Sequence, residues 1–465
     1  MKLATTFDES LGKFVGLVAE KIGDSGLSKC LFLRDPVGTL TCVMPPSLLD
    51  AQNRKALAEE AEVSLDPYVE KDGFAVATAA ELFDESLDCE SVGIRVRAPY
   101  NGVQFTVRLL DRRVMGGAWL QRSENVSTSK RLIFASLKGG VGRSTALCVL
   151  AAELASQGYR VLAVDMDVEA PGIGSMLLDE GTMPRFGLLD YLVESGLQEL
   201  GDEFYESLTG PSWLAAGQGV VSVIPAIGKE SIAHPQNILS KIARAYLSGG
   251  GSAALGVTEK MKMLLDRIDQ RNEFDVVLID ARAGLHETTG SALLGLGGRV
   301  VLFGTDQKQT LDGFDILFAN LAMVDCEGWR DRLVVVHAKA FANVELQKAF
   351  ASKVQESFVN IFIPVDESPQ PVEQSLQLKA LDGVFEIEWE ESDDMVRERT
   401  DSLISERYRS IDVASILESE GYRDFDPLNR PDTLMGRLYW SVYGDFLEKV
   451  KALIELPEAA ENVLF

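Results

Sequence analysis

The chain of 465 residues carries 71 acidic against 45 basic side chains, a formal charge of −26, and is 46% hydrophobic. That length accommodates two or three domains, and no apolar run reaches the roughly 18 residues that a membrane-spanning helix needs. The charge favours solubility and opposes a broad nucleic-acid face, which needs cations to displace phosphate counter-ions.

The opening stretch, MKLATTFDESLGKF, lacks the apolar core of a secretory signal. Five scattered cysteines (Cys30, Cys42, Cys89, Cys148, Cys326) include no Cys-x-x-Cys pair, and the three histidines are isolated. Reduced thiols in a cytoplasm fit this usage, and a His/Cys metal site does not. Residues 1–125 mix helical patterns (FVGLVAEKI, LDAQNRKALAEEAE) with a hairpin, VGIRVRAPYNGVQFTVRLL, turning at Asn101-Gly102. They are expected to form a separate α+β domain, joined to the rest by ENVSTSK (124–130). The hairpin places Arg95, Arg97, Arg108, Arg112 and Arg113 in an otherwise acidic protein. A solvated strand face is the plainer reading of this island; a surface for nucleic acid or an acidic partner is the alternative.

From Arg131 to Asp366 short apolar runs alternate with helical patterns: RLIFAS (131–136), RVLAVD (160–165), FDVVLID (274–280), RVVLFG (299–304), RLVVVH (332–337) and NIFIPV (360–365). Continuous apolar runs of this length suit parallel strands buried on both faces. The alternation predicts an α/β fold: a doubly wound, mostly parallel sheet over 131–370, with ligands at the carboxyl ends of its strands. LSGGGSAALG (247–256) has the composition of a flexible surface loop. Residues 371–465 turn acidic (FEIEWEESDD, 385–394) and then mainly helical, and are expected to form a C-terminal extension.

The first run leads into KGGVGRST (138–145) and a helical stripe from Ser144 to Gln157 ended by Gly158. Glycines between a strand and a helix let successive N–H groups face one anion, aided by the helix N-terminus. Gly139, Gly140 and Gly142 give room for such an approach, and Ser144 supplies a hydroxyl suited to Mg²⁺. The strict GxxxxGK[ST] pattern fails at Leu137 and Arg143. Two acids two apart at a strand end, Asp165 and Asp167, share a face and can serve metal and water.

KGGVGRST resembles the deviant Walker A motif, KGGxGK[ST], of the ParA/MinD family of P-loop ATPases. Three motifs in order carry the resemblance, over roughly residues 131–370. In that family the early lysine reaches across a nucleotide-sandwich dimer to the partner's phosphates; Lys138 matches it and is implied to be catalytic. Arg143 departs from the in-cis lysine, yet it keeps a permanent cation and can ligate phosphate bidentately. The resemblance assigns Gly139 to Thr145, with Val141 between, to nucleotide binding, and Arg143 to catalysis as well. RVLAVDMDVEAPG (160–172) resembles switch I: Asp167 positions or activates water, and Asp165 lies near the metal with Ser144. FDVVLIDARAG (274–284) resembles Walker B and switch II, so Asp280 holds Mg²⁺ through water and Gly284 senses the γ-phosphate. Arg282 stands where many relatives have proline. IFIPVDESPQPV (361–372) resembles the segment that embraces adenine, which nominates Pro364 and Val365, and His337 falls near a base-contacting asparagine of relatives. Arginine in the loop together with EAPG suggests a bacterial branch of large, multidomain members.

The function so implied is an ATP- and Mg²⁺-dependent switch that closes as a homodimer, hydrolyses ATP slowly and signals to a protein partner. Four readings of its role compete. A regulatory subunit of a multiprotein bacterial system, for instance in defence, stands first. DNA or cargo partitioning is opposed by the acidity, and membrane cycling by the acidic tail LPEAAENVLF. A nucleotide-binding scaffold without turnover draws its support from Arg143.

Overall fold

The computed structural model describes residues 5–113, 116–120, 130–215, 219–246, 255–324, 329–362 and 411–454. Pro364, Val365, the acidic run 385–394, most of 247–256 and residues 124–129 of the linker lie outside them.

Near the N-terminus, α1 (Phe7–Leu27) and α2 (Ala51–Leu65) cover one face of a five-stranded sheet. The Asp50 carboxylate caps α2 by accepting the Asn53 N–H at 2.8 Å. The strand order is β3-β2-β1-β5-β4, with β1 Leu31–Arg34, β2 Leu40–Val43, β3 Val76–Ala77, β4 Ile94–Tyr100 and β5 Val103–Asp111. Phe14, Val18, Phe32, Val96 and Val107 close its core. Strands β4 and β5 are the expected hairpin, and Asn101 and Gly102 both take positive φ (48° and 79°), as a type I′ turn requires. Three arginines of the island are occupied. Arg108 donates to the carbonyls of Cys89 and Lys29, Arg112 pairs with Asp84, and Arg113 with Asp111. Arg95 and Arg97 stand exposed on β4.

The larger sheet has eight strands in the order β13-β12-β11-β6-β10-β7-β9-β8. These are β6 Arg131–Ser136, β7 Arg160–Asp165, β8 Gly210–Ser212, β9 Val220–Ile224, β10 Val276–Asp280, β11 Arg299–Gly304, β12 Leu333–Ala340 and β13 Asp412–Leu417. Every pairing is parallel except β8 with β9. Helices cover both faces. α3 (Arg143–Ser156) and the helix Gly436–Lys451 lie on one, while the helices Val257–Arg271, Lys308–Val324 and Val344–Phe362 lie on the other. The doubly wound, mostly parallel sheet is thus as expected.

Two expectations shift. Asn360, Ile361 and Phe362 of NIFIPV are not strand: they end the helix Val344–Phe362, whose buried Phe350, Val354 and Phe358 recur at a four-residue spacing that continues into them. The C-terminal segment is not only helical. It supplies the edge strand β13, and the helix Gly436–Lys451 buries Tyr439, Tyr443 and Phe446 against the sheet.

The connection between the sheets passes through Trp119, in the short turn Gly117–Leu120. Its indole is 6% exposed and joins the core of the larger sheet. Its Nε1 donates to the His286 carbonyl at 3.1 Å, and the Ala118 N–H donates to Glu287 Oε1 at 2.8 Å.

Candidate nucleotide site

The central strand β6 is buried along its whole length and releases the chain into the glycine loop at its carboxyl end. Gly140 and Gly142 take φ of 73° and 84°, values that an L side chain adopts only under strain. A Cβ at Gly139, Gly140 or Gly142 would meet nothing within 4 Å, so the loop is open toward solvent rather than packed shut. Gly142 leads directly into α3, whose first N–H groups are left for a ligand.

Strand register brings three carboxylates to this loop. Asp280 ends β10 opposite Asp165, which ends β7, and Asp167 follows two residues later. Asp165 is fully buried, and its oxygens accept from the backbone N–H of Asp167, Gly172 and Ile173 at 3.0, 3.0 and 3.1 Å. Burial, reinforced by the Asp280 charge, pushes the Asp165 carboxyl up to about 7. Burial raises Asp280 as well, against the opposing pull of Arg143 and Ser144. Ser144 Oγ donates to Asp280 Oδ2 at 2.6 Å. Asp167 is 7% exposed and accepts from the Ala170 N–H at 3.2 Å.

The two loop cations part company. Lys138 is exposed and its Nζ donates to Gln307 Oε1 at 2.8 Å. Arg143 is buried: Nε donates to Asp280 Oδ1 at 2.5 Å and Nη1 to Ser136 Oγ at 3.3 Å, while Nη2 lies 3.5 Å from Asp167 Oδ2. Gly284, at φ 90°, donates its N–H to the Ser136 carbonyl at 2.8 Å. Arg282 Nη1 lies 2.6 Å from Glu169 Oε1, tying the loop after β10 to the loop after β7. Glu169 and Gln307 were not singled out from the sequence. The partner of each, Arg282 for Glu169 and Lys138 for Gln307, comes from a distant segment, so no local pattern marks it.

Beside the loop lies an open cavity of about 640 Å³. Its walls are Gly140, Val141, Gly142 and Thr145 on one side, and Lys339 to Ala342 and Ile416 to Glu420 with Tyr422, Arg423 and Tyr443 on the others. Lys339 takes φ of 53°, a left-handed conformation uncommon for a non-glycine residue. His337 does not line this cavity. Val336 and Ala338 face the α3 side, so strand alternation sends His337 to the opposite face. There it stacks on Phe350 (ring centroids 4.0 Å apart), 2% exposed, with its pKa lowered by burial. His337, expected near the base, thus lies away from the cavity, which the ends of β12 and β13 and the residues that follow them line instead.

Residues 129–327 match the model of an AAA domain family. The match covers less than half of the chain, and together with the glycine loop, the three carboxylates and the parallel sheet it makes the central domain similar to the domains of that family. The chain is also similar to three curated relatives. Nitrogenase iron protein 2 of Methanothermococcus thermolithotrophicus is 31% identical, over 20% of this chain and 39% of that protein. The light-independent protochlorophyllide reductase iron-sulfur ATP-binding protein of Chlorobium phaeobacteroides is 27% identical, over 48% and 69%. The iron-sulfur cluster carrier protein of Methanocaldococcus jannaschii is 43% identical, over 14% and 22%. The chain thus spans well under half the length of the first and third of these. Among solved structures it is similar to a plasmid partition protein of Borrelia burgdorferi bound to AMPPNP (16% identity, 70% of this chain and 99% of that one, TM-score 0.40). It is also similar to the MinC:MinD cell division complex of Aquifex aeolicus (15%, 71% and 99%, TM-score 0.40). No helix among the described residues is long and apolar enough to cross a membrane.

Proposed function

We propose that the chain is an ATP- and Mg²⁺-dependent switch that dimerises on ATP, turns ATP over slowly and transmits its state to a protein partner. The observation that carries this reading is the open glycine loop at the start of α3, continuous with a cavity large enough for a nucleoside. Phosphates lie along the N–H groups of Gly139 to Thr145, and the nucleoside lies between Thr145, Lys339 to Ala342 and the 416–423 segment. Magnesium usually takes one or two protein oxygens and fills its shell with phosphate and water. Ser144 and Asp280, 2.6 Å apart, suit that role; bound there, the ion would neutralise charge on the β- and γ-phosphates. In this reading Asp167 orients water, and exposed Lys138 reaches a second subunit. The Arg282–Glu169 pair joins the two loops that a γ-phosphate would rearrange, which supports a switch.

Arg143 favours a second reading, a nucleotide-binding scaffold without turnover, because its guanidinium already engages Asp280 and Asp167. Calorimetry with ATP and ADP, together with steady-state ATPase of wild type and Asp167→Ala, separates the two. Uptake of ATP with turnover lost in Asp167→Ala supports the switch, whereas uptake without turnover in either protein supports the scaffold. No uptake of nucleotide by folded protein defeats both.

A further inference from the structure

We propose that Arg143 is a positioning residue for the two switch carboxylates and their resident counter-cation, not a clamp on the phosphates. Three buried carboxylates converge at the ends of β7 and β10, and Asp165 is satisfied by backbone N–H groups. Asp280 and Asp167, from different segments, receive one cation, the Arg143 guanidinium. All three of its nitrogens are committed on the strand side, to Asp280, Asp167 and Ser136, and Arg143 is not among the residues lining the nucleotide-sized cavity.

The choice of arginine follows from this geometry. A lysine ammonium is a compact point charge and holds one carboxylate well; a planar fork spans two acids and a hydroxyl at once. Removing that fork leaves buried charge uncompensated, which a protein tolerates poorly. A divalent cation at Ser144 and Asp280 would then be the available substitute. So the arginine sets the orientation of Asp167 and Asp280 and keeps the pocket folded before any metal enters.

The inference rests on the proposed ATP site for its kinetic readout, while its stability readout needs no nucleotide. The full-length chain is compared with Arg143→Lys, Arg143→Gln and Arg143→Gln/Asp167→Asn. Thermal unfolding is recorded in chelator and in MgCl₂ without nucleotide, then ATP binding by calorimetry, then kcat and KM. Arg143→Gln is expected to melt earlier in chelator and to recover with MgCl₂ alone, whereas wild type responds little. Adding Asp167→Asn restores part of the loss, because it removes an acid that had lost its cation. Arg143→Lys is expected to hold ATP within about threefold of wild type while kcat falls about tenfold or more at similar KM, the pattern of a lost positioning contact. A fall in ATP affinity beyond about tenfold with melting unchanged would make Arg143 a phosphate ligand and overturn the proposal. Equal responses of wild type and Arg143→Gln to MgCl₂ would also overturn it. If Arg143→Gln does not accumulate as folded protein, Arg143→Lys carries the test. Absence of ATP uptake by wild type, with the magnesium rescue intact, would sink the proposed function and leave this inference standing.

Discussion

Replacing Trp119 by alanine should loosen the junction between the two sheets and the segment after β10. A buried indole removes about 150–250 Å² from water, and at about 25 cal/mol per Å² that is about 4–6 kcal/mol as an upper value. The residue is 6% exposed and packs in the core of the larger sheet, so most of that area counts. The Gly290 backbone lies against the ring, since a Cβ there would sit 2.9 Å from indole Cε2, and alanine leaves a void beside it. The His286 carbonyl also loses its donor, worth about 1 kcal/mol. Aromatic-to-alanine changes in cores cost about 3–5 kcal/mol, and that is the expected loss. At 1.4 kcal/mol per tenfold, local opening should become about two to three and a half decades more frequent. Hydrogen exchange over residues 284–296 reads it directly, with circular dichroism tracking global unfolding. Trp119→Phe keeps the bulk and loses the hydrogen bond, so it should fall in between. Exchange over 284–296 unchanged within about threefold in Trp119→Ala, an opening cost below about 1 kcal/mol, would refute the reasoning.

Three further outcomes are expected. Lys138→Ala should retain ATP binding by the monomer but lose turnover by about 10³-fold, the scale of a charge supplied in trans; steady-state ATPase with light scattering checks this, and wild-type rates in the variant would remove Lys138 from catalysis. Asp165 titrates at about 7 in the folded chain against 3.8 ordinarily, so between those values the folded state holds a proton that the unfolded chain has released. Its contribution therefore falls as pH rises from about 4 to about 7. Asp165→Asn should flatten that part of the urea-midpoint profile, and superimposable slopes would count against the assignment. Ala342→Trp fills the cavity mouth from an exposed position, and should weaken ATP binding by about tenfold or more with little change in melting; unchanged affinity by calorimetry would place the nucleoside elsewhere.

The sequence made five of the six interior strands of the larger sheet legible and missed β9, whose burial alternates, together with the edge strands β8 and β13. Strands β6, β7, β10, β11 and β12 are covered on both faces, so they read as unbroken apolar runs. β13 lies at an edge, and DVASIL alternates between buried and partly exposed positions, which a search for apolar runs passes over. NIFIPV misled because Ile361 also extends the helical stripe of Phe350, Val354 and Phe358, and the longer period wins. The face of His337 was available in principle, since its parity on β12 opposes that of Val336 and Ala338. The site's backbone was visible in its glycines, whereas the bearing of Arg143 was not. A long side chain goes where its counter-charges are, and Asp167 and Asp280 reach it only through sheet register.

That register also explains how a loop without the first glycine of the strict pattern is still held in place. Leu137 takes that position, and its side chain sits in a notch at Gly313, where a Cβ would come within 2.9 Å of Leu137 Cδ1. The notch belongs to the helix Lys308–Val324, and Gln307, which holds Lys138, immediately precedes that helix. The entrance of the loop is therefore fastened to the β11 side of the sheet. Its exit is fastened to the β7 and β10 side, through Arg143 and Ser144 on Asp280. Between them run Gly139 to Gly142, the stretch whose N–H groups face a phosphate in the proposed site and whose three glycines have open space around them. A first glycine would have spared room where none is needed and removed the anchor. Leucine there and arginine at 143 are two ends of one arrangement, in which side chains clamp the flanks so that bare backbone can stay open between them.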